Sequence, residues 1–341
     1  MKTMHTTLLR FALGTLLVVL CQACVREEEP HDDTSSRGNF EALWTIIDEH
    51  YCFFGYKQID WDSVHAAFAP RITDRMTKAQ LFEVLCDMLA TLRDGHVNLS
   101  RAADMGRYWA WRDDYPLNFD AELQEAYLGR DYKIAGGLNY CILDDNIGYI
   151  TCRSFSSGFG DSNLDEIMRY LRLCNGIIID VRNNGGGLLT YAELLAGRLT
   201  NERPLVGYIT HKTGRGHDDF AEPQPEYLDP SDGLRWQKRA IILTNRRCYS
   251  ATNTFVRDVK GLPRVTILGD TTGGGSGMPF SSELPNGWAV RFSAVPMYDA
   301  QMQHIEFGIS PDVVCQLDSA DMTRGHDTLI ETARQMLSAA P

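Results

Sequence analysis

Apolar residues recur at helical spacing through the first third of the chain. Phe40, Leu43, Trp44, Ile47 and Tyr51 mark one helix, with Asn39 placed to cap it. Asp60 can cap a second helix, which carries Val64 and Phe68 and is ended by Pro70. Thr77 and Gln80 have capping-box spacing before a third, whose apolar face is Leu81, Leu85, Met88, Leu89 and Leu92. The pattern then changes. A turn-like Asp144-Asp145-Asn146 precedes a strand at 147–152, and a helix follows with Leu164, Ile167, Met168 and Leu171. Gly176 can terminate that helix and begin a buried strand at 176–181. A helix bearing Leu194, Leu195 and Leu199 comes next, then strands at 240–244, 265–268 and around 288–292, and a last helix near 328–337. This order predicts a mixed fold of α+β or α/β class. A three-helix N-terminal bundle at 38–100 precedes an α/β core at 101–341 with largely parallel strands, and the polar, Pro-rich residues 211–238 form a surface insertion.

One junction in this pattern can carry chemistry. Residues 240–244 form a short apolar run, Asn245 to Arg247 are polar, and helical patterning resumes at Ala251. Ser250 therefore stands where a strand hands over to a helix N-terminus, where free N–H groups and the helix dipole favour negative charge. A hydroxyl there can attack a carbonyl while nearby N–H groups hold the oxyanion. The plainer role is an N-cap serine.

Composition narrows the class. The chain has 341 residues, 44% hydrophobic and 23% charged, which fits a globular protein. A net charge of −12 argues against nucleic-acid binding. Neither a phosphate-binding G-x-x-x-x-G-K-[ST] loop nor a Cys/His cluster with zinc spacing is present, and no metal or cofactor is implied. At the N-terminus, Lys2 and Arg10 accompany an apolar run at 11–20, too short to span a bilayer, which reads as a signal peptide over residues 1–23. Ala23-Cys24 has the form of a lipobox, with Cys24 as the lipidated residue; Cys21, preceded by bulky Leu20, is the weaker candidate. Residues 24–37 are polar and acidic, as expected of a tether between a membrane anchor and a folded domain. The cysteines after Cys24 are odd in number and give no disulfide framework.

Five short motifs occur in one order: D-G-H-V at 94–97, D-V-R-N-N-G-G-G at 180–187, S-A-T-N at 250–253, G-D-T-T-G-G-G at 269–275 and G-I-S-P-D at 308–312. Together they resemble the C-terminal-processing peptidases, and within that family the branch of the tricorn core and the interphotoreceptor retinoid-binding protein. The resemblance covers about residues 40–320 and implies a core of the ClpP/crotonase-like type. Well-known members use a Ser/Lys dyad, but the lysine position falls on Gly275 here. The lysine after Ser250 is Lys260, about 15 Å further along the same predicted helix at 1.5 Å per residue.

The tricorn-like branch takes its base from the helical region, and His96 holds that position. The resemblance thus implies Ser250 as nucleophile and His96 as base. Glu306 is the candidate to orient His96, directly or through a further residue, and a carboxylate beside the imidazole would raise its pKa. It also implies an oxyanion hole from the N–H groups of Ala251 and Gly186. Gly95 departs from the tricorn pattern, which has a serine before the histidine. Asp180 and Arg182 are expected to hold the glycine loop. About 50 residues separate His96 from the strand at 147, too few for the substrate-binding PDZ-type domain common in this family. The expected function is an envelope-anchored serine peptidase acting on peptides or proteins. The alternatives are a non-catalytic ligand- or peptide-binding lipoprotein on the same fold, and a glycan-associated structural lipoprotein drawing on Trp109, Trp111 and Tyr115. Cys248 as a thiol nucleophile is disfavoured, because it falls before the helix start.

Overall fold

The computed structural model describes residues 33–338. The proposed signal peptide, Cys21 and Cys24, and most of the tether lie outside the described residues. Helix α1 spans Ser36–His50 and is capped by Ser35, whose side chain accepts from Gly38 N–H. Asn39, the expected cap, lies inside α1 and is buried; its amide donates to Thr34 and Ser35 carbonyls and its oxygen accepts from Asn286 N–H. The buried amide thus ties the helix to a distant turn. A single turn, α2 (Phe54–Lys57), follows. Then come α3 (Trp61–Phe68), capped by Asp60, and α4 (Lys78–Ala90), which begins with the Thr77/Gln80 capping box.

Two strands close this region, β1 (Asn98–Arg101) and β2 (Asp104–Arg107). The elements that follow are α5 (Ala121–Leu128), β3 (Lys133–Ala135), β4 (Leu138–Ile142), β5 (Gly148–Cys152), α6 (Asp161–Leu171), β6 (Ile177–Asp180), α7 (Leu189–Ala196), β7 (Leu205–Ile209) and β8 (Gln224–Tyr227). The chain continues through β9 (Ala240–Thr244), α8 (Ala251–Val259), β10 (Val265–Gly269), β11 (Gly277–Glu283), β12 (Ala289–Asp299), β13 (Val313–Val314), α9 (Ser319–Thr323) and α10 (Thr328–Ser338).

The central sheet has the order β13-β10-β9-β6-β5-β4-β3. Pairing is parallel from β13 to β5 and antiparallel at β4 and β3. Strands β6 and β9 are buried on both faces, which explains the apolar runs at 177–179 and 240–243. One core packs α6, α7 and α8 on one face of this sheet, and a second packs α10 on the other.

The second sheet, built from β2, β1, β12, β7 and β8 with β11 paired to β12, is not legible in the hydrophobic pattern. Strand β12 runs for 11 residues, well past the predicted end near 292. The 211–238 excursion is not wholly irregular either, since it contains β8. The N-terminal helices do not close a core among themselves. Phe40, Leu43, Leu85 and Met88 share one with Val97, Leu99, Trp288, Val290 and Phe292. This shared core holds the turn after α4 against the C-terminal half of the chain. Among the described residues no helix is long and apolar enough to cross a membrane, and the cysteines are free thiols.

Candidate active site

Ser250 caps α8 by position but not by chemistry. Its side chain makes no capping hydrogen bond, and its backbone has φ 59° and ψ −124°. Positive φ is uncommon for a residue with a Cβ and costs on the order of 1–3 kcal/mol. Two backbone contacts hold the turn: Ser250 N–H donates to the Gly274 carbonyl at 2.9 Å, and Tyr249 N–H to the Asn184 carbonyl at 3.1 Å. The strain turns Oγ away from its own helix, and it lies 2.9 Å from Nε2 of His96, a residue 154 positions earlier.

The loop before β1 delivers His96. Asp94 makes a tight turn in which its Oδ1 accepts from His96 N–H at 2.8 Å, and Asn98 donates to the His96 carbonyl. Asp94 Oδ2 accepts from Tyr51 at 3.0 Å and Ser293 at 2.9 Å, so α1 and β12 both fix the turn. Burial pushes the imidazole down to about 4; Asp94 pulls the other way, while Arg291 and Arg107 add to the depression. His96 Nδ1 is buried and has no protein partner among the described residues.

Glu306 is buried near this assembly but its carboxylate does not bond the imidazole. One oxygen lies 2.8 Å from Lys57 Nζ, and the other accepts from Ser276 N–H at 2.8 Å. Lys57 Nζ also lies 3.5 Å from Asp94 Oδ2, with no solvent exposure of either side chain. The link from Glu306 therefore runs through Lys57 and Asp94 to the backbone N–H of His96. The expectation that Glu306 raises the imidazole pKa is not met, because Lys57 faces its charge and burial of the ring dominates. Burial pushes Glu306 itself up to about 7, against the pull of Lys57. In Asp94 the attraction of Lys57 and His96 outweighs burial and holds the carboxyl below its ordinary range.

Lys57 was not singled out in the sequence. It lies on a four-residue helix too short to show a periodicity, on the opposite side of His96 in the chain from Ser250. Asp94 carried a clearer signal, standing two residues before His96 with Asx-turn spacing.

The missing dyad lysine has a steric explanation. A Cβ on Gly275, whose φ is +75°, would lie 2.4 Å from the Tyr249 ring. That ring stacks on Trp111 with centroids 4.3 Å apart. The same two side chains leave no room for a serine at position 95, where a Cβ would stand 2.7 Å from both Tyr249 Oη and Trp111 Nε1. Of the aromatics Trp109, Trp111 and Tyr115, Trp111 is packed into the site, while Trp109 and Tyr115 are exposed. Lys260 caps the far end of α8 and pairs with Asp312 at 2.6 Å.

Of the two donors expected for an oxyanion, Ala251 N–H lies at the first position of α8 and donates to no described protein group. Gly186 N–H, in contrast, donates to Asn184 Oδ1 at 2.9 Å. Gly186 does lie against the serine: a Cβ there would be 2.8 Å from Ser250 Cβ and 2.9 Å from Ala251 N. Its contribution in this arrangement is closeness of the backbone, with the N–H already engaged. The loop behind it is fixed by Arg182, which pairs with Asp180 at 2.7 Å and with Asp327 at 2.9 Å, all fully buried. Cys248 is no rival to Ser250. Its sulfur is buried against the Val181 carbonyl, and burial pushes the thiol up to about 12.

A hydroxyl on a strained turn at a helix N-terminus, with a neutral imidazole on its oxygen, can be deprotonated as it attacks an electrophilic carbon. The sheet order and buried helices that carry it define an α/β core of the ClpP/crotonase-like type, shared with solved structures of the same class. This chain belongs to the C-terminal-processing peptidases, peptidase family S41: residues 146–315 match the model of that family and residues 32–90 match the tricorn protease C1 domain. A crystal structure of a candidate peptidase from Parabacteroides merdae is 53% identical, with a TM-score of 0.86, covering 90% of this chain and 98% of that one. The photosystem II D1 C-terminal processing protease shares the fold at 15% identity, with a TM-score of 0.55 over 83% of this chain and 94% of that one. The carboxy-terminal processing protease CtpA of Bacillus subtilis is 24% identical over 176 residues, 51% of this chain and 36% of CtpA. Against a second curated relative, from Synechocystis, the chain spans 46% of the length.

Proposed function

We propose that the protein is a serine peptidase in which Ser250 attacks a peptide carbonyl and His96 accepts its proton. The observation that carries this reading is the 2.9 Å contact between His96 Nε2 and Ser250 Oγ, made by a serine held at positive φ. In the resting state Nε2 is unprotonated and accepts from Oγ. As the Oγ–C bond forms, the proton passes to Nε2 and the negative charge moves to the carbonyl oxygen, beside the Ala251 N–H and the N-terminus of α8. His96 then returns the proton to the departing amine, and water repeats the sequence on the acyl-enzyme. The strain at Ser250 is consistent with this role, since an N-cap serine would adopt ordinary extended dihedrals and bond its own helix. Lys57 and Glu306 act as positioning residues through Asp94, which holds the His96 turn.

The test is covalent labelling by a serine-reactive phosphonate probe as a function of pH. Wild type should gain one adduct on the peptide containing Ser250, and Ser250→Ala none. Labelling requires neutral imidazole, and a depressed pKa keeps the ring neutral to lower pH. The rate should therefore hold through pH 6 and fall only towards about 4. Absence of an adduct on a folded protein would favour the binding-protein alternative. A half-maximal rate at pH 6.5 or above would remove the buried-imidazole account of the base.

We also propose attachment to the cell envelope through Cys24, on the lipobox-like Gln22-Ala23-Cys24. Cys24→Ser should move the protein from the membrane fraction to the soluble one and abolish a lipid mass on the N-terminal peptide. Unchanged fractionation would overturn this.

A further inference from the structure

Beside His96 the second sheet carries a pair of arginines with no carboxylate partner. Asn98 of β1 is directly opposite Arg107 of β2 on one side and Arg291 of β12 on the other. Directly paired residues project from the same face of a sheet, so the two arginines flank Asn98 at about 4.8 Å per strand. The alternate face, with Leu99 and Val290, is buried against the N-terminal helices, so the arginines project from the opposite face, where Arg107 is half-buried and Arg291 is exposed. Both guanidiniums act on the buried imidazole. Arg107 donates through Nε to the Gly95 carbonyl at 2.5 Å and lies 4.2 Å over the Trp109 ring, which Arg112 also covers at 4.6 Å.

Among the described residues none of Arg107, Arg112 and Arg291 forms a salt bridge, although the chain carries 45 acidic against 33 basic residues. Burial, together with the nearby charges of Arg291 and Arg112, lowers Arg107 from its ordinary value, against the pull of Tyr249 and of the buried Asp94 carboxylate. Like charges gathered without a direct ion-pair partner beside a reactive group are stabilised by an anion arriving with the ligand. The net charge of −12 does not cancel this locally, because surface charges more than about 8 Å away are largely screened at physiological salt.

We infer that Arg107 and Arg291 form a subsite for a carboxylate of the bound peptide, close to the scissile bond, and so give the site a preference for acidic substrates. The inference rests on the peptidase reading of the same site but not on turnover, and binding can test it alone. Arg291 is exposed, whereas Arg107 also steadies the Gly95 carbonyl, so Arg291 is the residue to change.

The experiment uses the full chain with Ser250→Ala and fluorescent peptides of about ten residues in three forms: all-neutral with an amidated end, the same with one Glu scanned along it, and the same with a free C-terminal carboxylate. Anisotropy should give about tenfold tighter binding for a carboxylate-bearing form than for the neutral one, diminishing with added salt. Arg291→Gln should bring that ratio close to one. Preference for a Glu at one position assigns the subsite to a side chain; preference for the free terminus assigns it to the chain end. Equal binding of all three forms, or an unchanged ratio in Arg291→Gln, would overturn the inference. If the peptides bind with this preference while wild type cleaves none of them, the peptidase reading fails and the subsite stands.

Discussion

Ser250→Ala and His96→Ala are each expected to lower kcat/KM on a fluorogenic peptide by on the order of 10⁴-fold, and the double variant should be little worse than either single. The reason is geometric. Oγ and Nε2 are 2.9 Å apart and act on one proton, so removing either leaves the other without a task. The residual rate should reflect what Ala251 N–H and substrate positioning supply. Neither change should unfold the protein, because Ser250 Oγ caps no helix and the His96 turn is held through its backbone. Losses that add in the double variant would mean that the two residues do not share a mechanism.

Lys57→Met should be the most damaging change away from the reacting atoms. It leaves Glu306 and Asp94 buried without their cation, and breaking a buried pair in this way costs about 3–5 kcal/mol. Activity should fall with stability, but a merely structural role predicts nothing about pH. The geometry does. Lys57 is among the charges that depress His96, whereas Asp94 pulls it up. Removing the lysine should therefore raise the imidazole pKa and move the acid limb of probe labelling to higher pH. The paired variant Lys57→Met/Glu306→Gln removes the unpaired Glu306 charge and should recover part of the stability while keeping the shifted limb. An acid limb unmoved in both variants, with circular dichroism showing a folded protein, would exclude Lys57 from the positioning of His96.

The parallel core was legible in the sequence because strands buried on both faces are built on apolar runs, as at 177–179 and 240–243. The second sheet was not. Strand β11 is largely exposed, and β12 alternates irregularly over its 11 residues, so neither shows a clean period. Its partners lie far apart in the chain, and nothing local specifies that β1 will pair with residues 289–291. The cap of α1 shows a related limit: Asn39 has the right residue type at a helix start, but its amide is drawn into a tertiary contact with Asn286, and Ser35 caps instead.

The same division runs through the site. Local order determined that Ser250 would stand at a strand-to-helix junction and that Asp94 would stand within reach of the His96 N–H, because apolar periodicity and Asx-turn spacing are local, whereas distant contacts to Gly274, Asn184, Tyr51 and Ser293 hold both turns in place. The motif order was sufficient to name the candidates, since a short motif keeps its residue types together wherever it is placed. Only the tertiary structure decided the distances among them. It put Lys57 between Glu306 and Asp94, filled the place of a lysine at 275 with the Tyr249 ring, and engaged Gly186 N–H with Asn184. A buried charge must find its counter-charge wherever the chain brings one, and residues 57 and 306 are joined by packing across 249 positions, a contact that no local pattern encodes.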